Sequence, residues 1–151
     1  MIVANVVDGR AIIVDRIKEM VRLAGGLDEN TRLTDEAIEI ALQCLEKFGQ
    51  RINSIPAANI RAVGTNTLRQ ARNGIEFLSQ ANAALGHKIE IISGREEARL
   101  VYVGVANTIF NDIDKRLVVD IGGGSTELII GRGYDADITE SLFMGCVNIS
   151  Q

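Results

Sequence analysis

The sequence has 151 residues, 46% of them hydrophobic and 4% aromatic, which is enough to bury the core of one average domain and excludes a disordered or fibrous chain. Lysine and arginine number 16 against 20 aspartate and glutamate, a formal net charge of −4, and that balance disfavours nonspecific nucleic-acid binding. An anion site here must therefore rest on backbone dipoles, a few arginines or a metal ion.

Residues 1–7 and 11–17 are rich in β-branched side chains and flank Asp8-Gly9, a strong hairpin signal, and the second arm is expected to run on toward Leu23. Residues 1–7 have no basic region before them and reach Asp8 too soon for a signal peptide. No stretch approaches the roughly 18 apolar residues of a membrane span. Gly25-Gly26 ends the extended region. Thr34 then offers an N-cap oxygen, Asp35 and Glu36 sit in the first turn, and Ile38, Ala41, Leu42, Leu45, Phe48 and Ile52 recur at helical spacing. Cys44 lies on that apolar stripe and reads as core, and Cys146 has no base near it in sequence. Two cysteines without metal-ligand spacing fit a reducing, cytoplasmic setting.

Beyond Pro56 the pattern alternates: a strand over 59–63, a helix over 65–85, a strand over 88–92 and a helix over 94–107. This is α/β rhythm. His87, the single histidine, falls at a turn before a strand, which leaves no basis for a histidine-centred triad. Residues 107–115 are polar, and a subdomain boundary is expected there, dividing 1–108 from 109–151. Strands follow over 116–121 and 127–130, a turn at 131–133 and a strand over 138–143.

The segment Leu117-Val118-Val119-Asp120-Ile121-Gly122-Gly123-Gly124-Ser125-Thr126-Glu127 carries the chemistry. Consecutive glycines let N–H groups converge on an anion, and the hydroxyls of Ser125 and Thr126 add donors. A dinucleotide fingerprint would need glycine where Glu127 stands, and a P-loop would need a lysine that is missing. A strand on either side makes the loop a hairpin tip, the phosphate grip of actin-like ATPases and sugar kinases. The plainer alternative is a wide hairpin capped by Asp120. Upstream, Ser93 and Glu96 have capping-box spacing, which assigns Glu96 a structural task and turns Glu97 to another face of the helix.

Three segments, Val63-Gly64-Thr65-Asn66-Thr67-Leu68-Arg69-Gln70-Ala71, Ile91-Ile92-Ser93-Gly94-Arg95-Glu96-Glu97-Ala98-Arg99-Leu100 and the glycine loop, together resemble the exopolyphosphatase and guanosine pentaphosphate phosphohydrolase family. The resemblance implies an α/β, ribonuclease-H-like, actin-type fold with a mixed sheet, and Mg²⁺-dependent hydrolysis of phosphoanhydride bonds. It places Glu97 as the carboxylate that activates water, Gly122, Gly123, Gly124, Ser125 and Arg69 at phosphate, and Asp120 and Glu127 at the metal. It also implies an additional strand and phosphate loop ahead of Met1, so the chain reads as a partial one with weak or no turnover by itself. Inorganic polyphosphate is the expected substrate and guanosine pentaphosphate the alternative, with Gly124 leaning toward polyphosphate; a noncatalytic actin-like phosphate-binding module is the reading from another class. Relatives are expected to act as homodimers.

Overall fold

The computed structural model describes residues 1–109, 114–147 and 149. Part of the expected polar loop, residues 110–113, lies outside the described residues. The chain opens with the expected hairpin, β1 (Ile2–Val7) against β2 (Arg10–Arg16), and Asp8 and Gly9 turn the corner with φ of 52° and 74°. Both turn residues are left-handed, as a two-residue hairpin loop requires. The second arm ends at Arg16 and not near Leu23, where a 3-10 turn (Leu23–Gly26) begins instead.

Helix α1 (Asp35–Ile52) starts where its cap predicts, with the Thr34 hydroxyl oxygen accepting from the Ala37 N–H at 3.3 Å. Strand β3 is shorter and later than expected (Ala62–Gly64), after a 3-10 turn at Ala57–Asn59. The single helix expected over 65–85 is two, α2 (Asn66–Gln70) and α3 (Gly74–Leu85). The reason for the break is Asn73. Its side chain accepts from the Leu33 N–H at 2.8 Å and donates to the Leu33 carbonyl at 2.9 Å, pinning the start of α3 to the turn before α1.

Strand β4 (Ile89–Ile91) lies parallel to β3, and helix α4 (Gly94–Ala106) follows. An antiparallel meander then runs β5 (Arg116–Ile121), β6 (Thr126–Arg132) and β7 (Asp135–Leu142). Its last turn comes at Gly133-Tyr134, later than expected, because β6 carries on through Gly131, where the ladder shifts register. The ladders are thus mixed in direction, parallel in β3–β4 and antiparallel elsewhere.

Two apolar clusters hold these elements. In one, Leu33, Ala41, Ile52, Phe77, Ala81, Leu85 and Ile89 join α1, α3 and β4. In the other, Ala98, Tyr102 and Ala106 of α4 pack on Val118 and Ile129 of the meander. Three of these five, Ala98, Tyr102 and Ile129, are wholly buried, so the inner face of the meander and one face of α4 fix each other. Cys44 is buried in α1, and Cys146 is exposed.

Candidate functional site

The glycine loop is the tip between β5 and β6. The pairing Ile121↔Thr126 is the last rung of the ladder, and the Gly122 N–H donates to the Ser125 carbonyl at 2.9 Å to close the turn. One rung back, Asp120 stands opposite Glu127, with both side chains on the face that packs toward α4. None of the loop glycines is among the described residues with positive φ. At Gly124 the requirement is space: a Cβ there would overlap the Asn66 side-chain nitrogen. Ser125, expected to add a hydroxyl donor, is buried at 4% exposure.

The back of the loop is braced by the segment after β7, whose role the sequence did not reveal. The Cys146 N–H donates to the Gly122 carbonyl and the Val147 N–H to the Gly123 carbonyl, each at 2.9 Å, and the Thr126 hydroxyl donates to the Met144 carbonyl.

Helix α4 begins with half of the expected capping box. The Ser93 hydroxyl oxygen accepts from the Glu96 N–H at 3.2 Å, but the Glu96 carboxylate does not return to Ser93. It takes both arms of Arg99, at 2.8 and 2.9 Å, because a guanidinium one turn on matches a carboxylate better than a single N–H. Glu97 points elsewhere, toward α2. Its Oε2 accepts from Arg69 Nη1 at 3.1 Å, and the same nitrogen donates to the Ile92 carbonyl at 2.7 Å. Arg69 and Glu97 side chains are 22% and 18% exposed, so this ion pair is shielded from solvent far more than the others among the described residues. Thr65 occupies the N-cap position of α2 without capping it, and its side chain lies near enough to Glu97 to favour the ionised carboxylate.

Burial pushes the Glu97 carboxyl above its ordinary range, and the nearby charge of Glu127 adds to the rise, while the bond from Arg69 and the nearness of Thr65 pull against it. Glu127 is 1% exposed, and its Oε1 accepts from the Ser141 hydroxyl of β7 at 2.8 Å. Sequence reasoning missed Ser141, whose only signal is that it lies across the ladder from Glu127. The structure thus gathers Arg69, Glu97 and Glu127 beside Asn66, which touches the loop at Gly124. Among the described residues no three His, Cys, Asp or Glu side chains cluster as a closed metal cage. Two carboxylates across one rung nevertheless suit Mg²⁺, which is usually held by one or two carboxylates, water and substrate phosphate.

The model of the Ppx/GppA phosphatase family matches residues 2–151. The chain is 52% identical over 147 residues to a guanosine-5'-triphosphate,3'-diphosphate pyrophosphatase of Vibrio cholerae, covering 97% of this chain and 29% of that protein. A protein of the same name from Aliivibrio fischeri is 51% identical over the same length. Among solved structures, the Aquifex aeolicus PPX-GPPA enzyme superposes with a TM-score of 0.85 at 32% identity, over 99% of this chain and 50% of that one. An exopolyphosphatase from Cytophaga hutchinsonii gives 0.86 at 28% identity, over 99% and 48%. The chain spans under a third of the length of those curated relatives. The fold is that of the Ppx/GppA structures, with the mixed α/β composition that the sequence led one to expect.

Proposed function

Because this chain belongs to the Ppx/GppA phosphatase family, we propose that the protein carrying it hydrolyses a phosphoanhydride bond of guanosine 5'-triphosphate 3'-diphosphate, releasing terminal phosphate. The observation that supports this substrate over polyphosphate is the 52% identity to relatives named for it, across 97% of the chain. That likeness outweighs the lean toward polyphosphate that Gly124 suggested. Polyphosphate stays as the second reading, supported by the fold shared with an exopolyphosphatase.

In the proposed reaction a water oxygen attacks the terminal phosphorus, the anhydride P–O bond opposite it breaks, and the water proton passes to Glu97. A carboxylate raised above its ordinary pKa by burial is a stronger base than a solvated one. Arg69 holds that carboxylate in place, and its remaining N–H groups would be what it offers a phosphate oxygen. The N–H groups of Gly123 and Ser125, which the turn and its brace do not use, would supply fixed donors where negative charge gathers on the transferred phosphoryl group. Asp120 and Glu127 would hold Mg²⁺, and the bound ion offsets charge on the phosphate oxygens.

The test is phosphate release by the full-length protein from guanosine pentaphosphate and from long-chain polyphosphate, with Mg²⁺, beside its Glu97→Gln variant. Preferred turnover of the nucleotide, reduced on the order of 10²–10⁴-fold in the variant, is the expected result. Preference for polyphosphate would replace the substrate named here, and turnover indifferent to Glu97→Gln would remove its role as the base.

A further inference from the structure

We propose that Asn66 is a positioning residue of the glycine loop and that Gly124 is glycine on its account. The inference deepens the reading above and rests on it for its kinetic arm. Asn66 is 7% exposed, one of four buried polar residues among those described. Its orientation is set by a neighbour: Gln70 Nε2 donates to Asn66 Oδ1 at 2.8 Å, which leaves the amide nitrogen turned to the loop. A Cβ on Gly124 would overlap that nitrogen and come within 3.5 Å of the Asn66 Cγ. The neighbouring tip glycines are less confined. A Cβ on Gly122 would meet the Ser125 carbonyl oxygen at 3.1 Å, and one on Gly123 would touch Val147 Cγ2 at 3.6 Å.

Gly124 is therefore the position where a single methyl group collides with a side chain, and that side chain is buried and already committed to Gln70. Asn66 also opens the helix that carries Arg69, so its packing on Gly124 joins the loop to the arm holding Glu97. Displacing it moves the loop's donors relative to the carboxylate. Donors aimed at charge that develops in the transition state lose most when misplaced, so the damage falls on kcat more than on KM. In this account the glycine marks a steric partnership and carries no information about which phosphate chain is bound.

The experiment is a double-mutant cycle in the full-length protein with Asn66→Ala, Gly124→Ala and both together, read by thermal unfolding and by kinetics on guanosine pentaphosphate and polyphosphate. Gly124→Ala alone is expected to lower kcat at least tenfold and to lower Tm. In the Asn66→Ala background the same change is expected to cost less than threefold and no further Tm, with the preference between the two substrates unchanged in all four proteins. Equal losses in both backgrounds would overturn the pairing, as would a Gly124→Ala protein of unaltered Tm whose preference shifts. Should neither substrate be turned over by the wild type, the function proposed above fails, and the Tm cycle still decides the pairing.

Discussion

Glu97 and Arg69 are 28 positions apart, yet they make the best-shielded ion pair among the described residues, and the pair governs how the site answers pH. Removing Arg69 takes away the main influence that lowers the Glu97 pKa and leaves burial and Glu127 to raise it further. Arg69→Gln is therefore expected to move the acid limb of the kcat/KM profile to higher pH, read from turnover between about pH 5 and 8. The stability effect has a definite sign. An acid whose pKa is raised by folding stabilises the native state fully below its unfolded value, near 4.3, and that contribution is lost as pH rises through the folded value. Unfolding by urea should show Glu97→Gln flattening the decline of stability just above pH 4.3, and an unchanged slope would mean that Glu97 is not perturbed by folding. At this scale the sequence was informative about Glu97, since the Ser93 cap settles which way the next residues face. It was silent about the pairing with Arg69 and about Ser141, because both depend on where distant elements come to rest.

At the scale of elements, the long helices and the meander follow from caps and periodicity, whereas the break between α2 and α3 does not. Apolar residues keep helical spacing across residues 71–73, and a propensity reading has no means of seeing that Asn73 binds Leu33 forty positions earlier. Asn73→Ala should leave buried groups of Leu33 unsatisfied and cost on the order of 2–3 kcal/mol in urea unfolding, against about 1 kcal/mol for Thr34→Ala at the cap of α1. A loss at Asn73 no larger than that at Thr34 would count against the bridge. Strands β3 and β4 came out shorter than their apolar runs because only three rungs of parallel ladder join them. The capping box was half legible for a similar reason: the spacing places Ser93 correctly, but Arg99 competes for Glu96.

For the molecule as a whole, the α/β class was readable from the alternation of elements, while the exposure of apolar surface was not. Ile2, Val6, Val7, Ile12, Ile13 and Val14 of the hairpin are all about half exposed or more, as are Leu117, Val119 and Ile121 on the outer face of β5. A cavity of about 960 Å³ opens between β1 and β3, lined by Val3, Phe48, Ile60 and Leu85. Apolar surface on this scale predicts that the 151-residue chain by itself self-associates and binds a hydrophobic dye, tested by sedimentation and fluorescence; a monodisperse, dye-silent monomer would contradict it. The packing of α4 also sets a timetable for synthesis. Glu97 is carried by a helix whose buried face, among the described residues, packs in its apolar cluster on strands that leave the ribosome later, about forty residues further along in the case of β7. At roughly 5–20 residues per second, Ala98 and Tyr102 wait on the order of two to eight seconds for their cover. During that interval every residue of the cluster joining α1 and α3 has been made, whereas the site is still incomplete and the side of α4 that Val118 and Ile129 cover is bare.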